Sequence, residues 1–250
     1  VGHRLGLDGR CEERPGPVPV SGGEHLPGTL YDEYLHRFQT RLLEGYGLTE
    51  TAPAATWSTS YANRPRSVGT ALPGVELLIV DERDRPLPRG AEGEILIAGP
   101  NIMKGYYHLP DLTAQAIIHL EVPGFHHQRW FRTGDLGRVD GDGFLFITGR
   151  KKEMLKVAGE MVIPREIEET LNRHPSVKDA AVIGKPDDMR GEVPVAFVEL
   201  KEGQTFDENA LRAWCRENLA SFKVPRDIRA IETLPRNATG KILRRQLTAD

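Results

Sequence analysis

The chain has 250 residues, 39% hydrophobic and 28% charged, a globular composition long enough for one large domain or two modest ones. A formal net charge of −3 makes nucleic acid a poor default partner, and two cysteines, Cys11 and Cys215, describe neither a disulfide scaffold nor a thiolate metal site and fit a reducing compartment. No apolar run is long enough to span a bilayer, and no charged-then-apolar leader is read in the sequence.

The first residues, VGHRLGLDGRCEERPGPVPV, are rich in Gly, Pro and Arg and show no period. VPVSGGEHLP, from Val18, reads as a short extended run and a Gly-Gly turn. Leu30 to Leu43 is predicted as a helix, with Leu30, Tyr34, Leu35 and Phe38 on one face and Asp32 and Glu33 near its positive end. RLLEGYGLTE then reads as a short strand running into a glycine loop. One helix and one strand cannot cover both faces of a parallel sheet, so the chain reads as beginning in the middle of a domain.

From Arg66 to Arg150 the pattern changes. SVGTALPGVELLIVDE, AEGEILIAGP and GFLFITGR are short strands divided by Pro-Gly, Arg-Gly and Asp-Gly turns. Val75, Leu77 and Ile79 alternate, as do Ile95 and Ile97, which predicts an antiparallel sheet or a small barrel. Leu109 to His127 has weak helical character broken at Pro123-Gly124, and is predicted to end in a surface loop.

From Gly149 the chain predicts a compact α/β unit. Pro164 opens a helix with Glu166 in its first turn and Ile167 and Leu171 inward. DAAVIGK and VPVAFVEL read as adjacent strands joined by a polar loop, Pro186 to Glu192. Phe206 to Leu219 reads as a helix burying Leu211, Trp214 and Leu219, and DIRAIETLP closes the sheet. The boundary falls at Gly149 to Lys152.

Four glycine-punctuated polar clusters stand out: EGYGLTE (Glu44–Glu50), RTGDLG (Arg132–Gly137), GRKKEMLKVAGEMVIP (Gly149–Pro164) and PRNATGKILRR (Pro235–Arg245). Together they predict a ligand site assembled from several loops. Lys241 follows a Thr-Gly turn, and a compact cation on a flexible stem suits delivery to a phosphate or carboxylate. Taken alone, EGYGLTE reads equally as a plain turn with a core tyrosine, and the basic clusters at 150–156 and 241–245 read first as solvated faces.

In this order and spacing the clusters resemble the C-terminal part of an adenylate-forming (AMP-binding) enzyme, the superfamily of acyl-CoA and acyl-carrier-protein synthetases, over nearly all of Val18 to Leu247. GPNIMKGYYHLP and KVAGEMVIPREIE look most like long-chain fatty-acid ligases or the synthetase half of acylglycerophosphoethanolamine acyltransferases. The resemblance implies an α+β, multidomain fold: 1–65 a remnant of the large adenylation domain, 66–150 its β-rich, barrel-like subdomain, and 151–250 a mobile C-terminal domain.

It also implies roles. Gly22, Gly23 and Glu24 match the loop beside the adenine and the acyl pocket. Tyr46 matches the residue that stacks on adenine, and Gly47 would let the backbone approach. Thr49 matches the hydroxyl on the α-phosphate, and Glu50 the carboxylate that helps hold Mg2+. Asp135 matches the ligand of the ribose hydroxyls, with Arg150 near the ribose and phosphate. Lys152 matches the hinge, Lys156 and Gly159 the stretch that meets pantetheine, and Lys241 the lysine that stabilises the adenylation transition state. ATP/AMP, Mg2+ and CoA or acyl-carrier-protein phosphopantetheine are the cofactors so implied. The activity that the resemblance implies is ATP-dependent conversion of a carboxylic acid, a fatty acid by this likeness, to acyl-adenylate and then to a thioester.

Two departures shape the expectation. The Ser/Thr/Gly-rich loop ending in Pro-Lys-Gly that wraps the ATP phosphates has no counterpart before Gly22, so the chain is expected to be a fragment, inactive alone, with its first 64 residues exposing an apolar face that self-association would cover. The 116–129 segment is longer than the family's usual link. The resemblance puts the parent protein in the cytoplasm, peripheral to or fused with a membrane domain. Two readings stay open beside catalysis: an AMP-binding remnant and an interaction module, which calorimetry with AMP separates.

Overall fold

A computed structural model describes residues 4–5, 11–12, 19–22, 26–238 and 240–248. Strands β1 (Arg4–Leu5) and β2 (Cys11–Glu12) pair as an antiparallel ribbon. Strands β3 (Val20–Ser21), β4 (Leu43–Tyr46), β5 (Thr56–Trp57) and β6 (Thr70–Ala71) form a sheet in chain order. The β3–β4 pair is parallel, as its crossover through helix α1 (Gly28–Phe38) requires.

Helix α1 starts two residues before Leu30 and stops well short of Leu43. Gln39 adopts φ 52°, and its N–H bonds back to Leu35 O at 2.9 Å, which closes the last turn. Asp32 and Glu33 therefore lie beyond the first turn, away from the positive end. Tyr31 is the buried residue of the helix, whereas Leu30 and Phe38 are 50% and 54% exposed. The predicted apolar face is largely uncovered among the described residues.

Strands β7 (Glu76–Val80), β8 (Gly93–Ala98), β9 (Ile117–His119), β10 (Arg129–Val139) and β11 (Leu145–Arg150) make an antiparallel sheet of order β11-β10-β8-β7, with β9 on β10. The predicted barrel is corrected here: among the described residues β7 and β11 are opposite edges that do not pair. Alternation explains why. Ile79, Ile95, Ile97 and Phe131 pack on one face, while Leu78, Val80, Leu96 and Trp130 pack on the other. Each face is covered by its own cluster, so the open sheet lies between two cores and encloses neither.

The 116–129 segment is more than a loop. Helix α2 (Pro110–Ala116) runs into β9, which pairs with the start of β10. The return covers Trp130, fully buried, whose indole N–H donates to Leu120 O at 3.0 Å while Phe125 meets its ring edge-on. The Glu76 carboxylate takes the His126 and His127 N–H groups. The segment thus lids the second face of the sheet.

A 3-10 turn, Lys151–Glu153, leads into a smaller α/β domain. Strands β12 (Leu155–Val157), β13 (Glu160–Val162), β14 (Val177–Asp187) and β15 (Gly191–Leu200) are ordered β13-β12-β15-β14, and β16 (Asp227–Ala230) joins β15 in parallel. Helices α3 (Pro164–Asn172) and α4 (Glu208–Asn218) pack on it. Pro164 holds the first helical position of α3, and the Asp207 carboxylate caps α4 at the Ala210 N–H. Strand pairing continues through most of the predicted polar loop, leaving only residues 188–190 to turn. On α4 Leu211 and Cys215 are buried, whereas Trp214 and Leu219 are only half-buried. Among the described residues no helix is long and apolar enough to cross a membrane.

Candidate active site

The larger sheet-rich domain and the smaller C-terminal domain enclose a cavity of about 190 Å³. Tyr46, Gly47, Asp135, Arg150 and Lys241 all line it, so elements remote in sequence meet there. Asp135 is a buried carboxylate of the lining, on β10 opposite Arg150 of β11. The Tyr46 hydroxyl donates to Asp135 Oδ2 at 2.6 Å, and Arg150 Nε lies 3.0 Å from Oδ1. The Thr133 hydroxyl accepts the Asp135 N–H at 3.0 Å, fixing the turn that presents the carboxylate. Burial first, and then the Asp135 charge, push the Tyr46 phenol well above its ordinary value, so Tyr46 stays a donor. An ionised carboxylate has about four lone-pair sites, so these two contacts leave acceptor capacity toward the cavity.

Gly47 lines the cavity, and packing gives a further reason for glycine there. A Cβ there would lie 1.9 Å from Pro53 O, so backbone packing against the 53–54 segment demands glycine. Thr49 opens a 3-10 turn (Thr49–Thr51) and is exposed, one residue after Leu48 of the cavity lining. The buried hydroxyl in this turn is that of Thr51, which accepts the Leu48 N–H and donates to Leu48 O. Glu50 Oε1 accepts the Tyr106 hydroxyl at 2.9 Å, and Glu50 O accepts the Met103 N–H. Among the described residues there is no group of three or more His, Cys, Asp or Glu placed to hold a metal ion. A single carboxylate with an uncommitted hard oxygen fits Mg2+, which is held largely by waters and substrate phosphates.

The remaining predicted residues that the structure describes lie outside the cavity lining. Gly22 is exposed beside β4, and Gly23 and Glu24 lie outside the described residues. Lys152 is exposed in an adjoining groove with Gly134, Asp135 and Arg150. Lys151 before it donates to the buried Glu94 Oε2 at 2.8 Å, pinning the turn to β8. Lys156 and Gly159 sit on the β12–β13 hairpin, away from the cavity lining; Gly159, at φ +90°, makes its turn.

Sequence reasoning missed several lining residues, among them Glu44, Glu168 and Arg244. Glu168 carried a signal, because a carboxylate shares the α3 stripe of Pro164, Ile167 and Leu171. Burial pushes the Glu44 carboxyl up to about 7, with Arg165 opposing the shift. Between the ordinary value of 4.5 and that raised value the folded state holds the extra proton, so stability falls as pH rises through this window and levels off above it. Glu44→Gln should match the parent chain below pH of about 4.5 and melt about 2–4 °C higher at pH 8. Thermal melts across pH 4–9 test this, and a difference that does not vary with pH would count against it.

Residues 11–107 match the family model "AMP-binding enzyme", and residues 166–241 match "AMP-binding enzyme C-terminal domain". A 2-succinylbenzoate–CoA ligase of Geobacillus kaustophilus is 45% identical over 204 residues, covering 81% of this chain and 40% of the relative. A long-chain-fatty-acid–CoA ligase of Bacillus subtilis is 37% identical over 230 residues, covering 91% and 40%. The crystal structure of ATP-bound MatB from Rhodopseudomonas palustris superposes with a TM-score of 0.84 at 35% identity, covering 92% of this chain and 44% of that one. The apo form of MatB, at the same identity and coverage, gives 0.69. The chain therefore spans less than half the length of these relatives. With the two family matches in the order of the two domains, and with the predicted motifs around one cavity, the chain belongs to the adenylate-forming, AMP-binding enzyme superfamily.

Proposed function

We propose that the protein activates a carboxylic acid with ATP, forming acyl-adenylate and pyrophosphate, and passes the acyl group to a thiol of CoA or an acyl-carrier protein. The observation that carries this reading is the meeting of Lys241, on a hairpin of the smaller domain, with Tyr46, Asp135 and Arg150 of the larger one. Asp135 would hold the ribose hydroxyls, Tyr46 the adenine face, and Arg150 the ribose–phosphate side. Lys241 would meet charge developing on the acyl oxygen and α-phosphate, an electrostatic role that needs a water-poor site. Thr49 would contact the α-phosphate. Mg2+, shared by Glu50 and the phosphates, would neutralise phosphate charge.

Lys152 is the proposed pivot between residues 1–150 and 151–250. Rotation about it would withdraw Lys241 and bring Lys156 and Gly159 toward the acceptor thiol, so that one site serves two steps. The better fit to ATP-bound than to apo MatB supports assigning the present arrangement to the adenylation step.

A fatty acid is the first candidate substrate, supported by the GPNIMKGYYHLP and KVAGEMVIPREIE segments and by the fatty-acid ligase relative. The higher identity to a 2-succinylbenzoate–CoA ligase favours an aromatic acid as the second. ATP–pyrophosphate exchange by the complete gene product, over saturated fatty acids and aryl carboxylates, decides between them, and no exchange with any acid would overturn the activity. Tyr106→Phe should raise the Mg2+ concentration needed for half-maximal exchange about 10-fold, since it frees the Glu50 carboxylate to rotate. A Mg2+ titration with an unchanged midpoint would remove Tyr106 from that role. The exposed Leu30 and Phe38 support burial of the α1 face against another protein surface, a second copy of this chain included, which sedimentation would reveal.

A further inference from the structure

We propose that Glu168 and Arg244 are positioning residues for Lys241, fixing the base of its hairpin to α3 and, through Glu153, to the hinge turn. The inference rests on the role proposed above for Lys241 and deepens it.

The Lys241 side chain itself has no hydrogen bond or ion pair among the described residues, so its place is set by the backbone that carries it. That backbone is a tight hairpin. Lys241 N–H donates to Asn237 Oδ1 at 2.8 Å, and Lys241 O accepts the Asn237 N–H at 2.9 Å. Arg236 and Ile242 form a β-bridge, Leu243 N–H bonds Pro235 O at 2.7 Å, and Gly240 turns at φ +89°. A hairpin this short holds its own shape but not its direction. Direction comes from its base. On one leg Arg236 pairs with Asp179 of β14. On the other, three residues beyond Lys241, Arg244 reaches α3.

The second anchor is built with unusual care. Glu168 is 7% exposed and shares its helix face with Ile167 and Leu171. A carboxylate there is costly unless fully paired. Its Oε1 accepts the Val182 N–H at 2.8 Å and Arg244 Nη2 at 3.0 Å, and its Oε2 accepts Arg244 Nη2 at 2.8 Å. Arg244 Nε lies 3.3 Å from Oε1. This planar fork fixes orientation as well as distance, which a lysine could not do. Arg244 Nη1 also lies 3.6 Å from Glu153 Oε2 in the turn after Lys152. The hinge is thus bracketed: Lys151 ties it to Glu94 of the larger domain, and Glu153 ties it to the hairpin that carries Lys241.

Glu168, Arg244 and Lys241 all belong to the smaller domain and move together. Loosening the anchor should therefore misplace Lys241 in the one step that uses it. A pair that served folding alone would weaken both steps alike. The test uses the complete gene product with Glu168→Gln and, should that variant fold poorly, Arg244→Lys, which keeps the charge and loses the fork. Each is also placed in a Lys241→Ala background. Acyl-adenylate formation should fall about 10²-fold, the scale of a small misplacement of a reacting group. Thioester formation from supplied acyl-adenylate should be unchanged, and neither variant should add a loss where Lys241 is already absent. In Arg244→Lys, which leaves the Val182–Glu168 bond in place, hydrogen exchange should quicken at Asn237, Leu243 and Leu247 but not in β14 and β15. Equal losses in both steps, or an added loss in the Lys241→Ala background, would overturn the proposal. If the parent protein activates no acid, the functional reading fails on its own. The anchor is then judged by exchange: quickening confined to residues 236–247 upholds it, and unchanged protection rejects it.

Discussion

Lys241→Ala in the complete gene product should slow acyl-adenylate formation about 10²–10³-fold, the usual loss when one preorganised donor to developing charge is removed. The same variant should convert supplied acyl-adenylate to thioester at close to the parent rate. The asymmetry follows from where the residue sits. Lys241 lines the cavity with Asp135 and Arg150, yet it belongs to a hairpin anchored on the smaller domain. If that domain turns about Lys152 between steps, the lysine is present for one and absent for the other. Pyrophosphate exchange reads the first step, and thiol-dependent AMP release from isolated acyl-adenylate reads the second. A comparable drop in both would mean that Lys241 stays in the site throughout, and domain alternation would have to be abandoned.

Much of this was legible from residue order. The alternating strands before Gly149 and the α/β pattern after it were both legible, and a 3-10 turn, Lys151–Glu153, lies where they meet. Tyr46, Asp135 and Arg150 came from the family resemblance of their motifs, and with Lys241 they line one cavity. What sequence could not show has a common cause: it depends on what packs against what. Leu78 and Ile79 are neighbours in one apolar run, and only pairing with β8 reveals that each faces a separate core, which removes the barrel. Helix α1 stops at Phe38 because Gln39 turns left-handed, a choice that no periodicity in 30–43 encodes. Segment 116–129 showed only its length and a break at Pro123-Gly124, because its contribution is to cover Trp130 and a covering segment needs no period of its own. Gly47 was read toward a ligand, whereas the backbone at 53–54 already forbids a side chain. Glu168 and Arg244 are separated by the whole smaller domain, and their pairing emerges only from the fold.

Asp135→Ala should weaken AMP binding by about 10²-fold, since losing hydrogen bonds to a charged group costs about 1.5–3 kcal/mol. Asp135 is 4% exposed and holds two groups at once, the Tyr46 hydroxyl at 2.6 Å and Arg150 Nε at 3.0 Å. Its loss therefore removes an acceptor for the ribose and frees two side chains that shape the nucleotide site. Affinity alone would not separate these effects, so the comparison should include 2′-deoxy-AMP. If Asp135 accepts the vicinal hydroxyls, the parent protein binds AMP more tightly than the deoxy analogue, and Asp135→Ala binds both alike. Tyr46→Phe supplies the control: it deletes the hydroxyl that Asp135 holds but leaves the carboxylate, so preference for the ribose should survive. Calorimetric titrations of all three proteins with both nucleotides give the answer. Retained discrimination in Asp135→Ala would move the ribose contact to another residue and leave Asp135 as a purely structural partner of Tyr46 and Arg150.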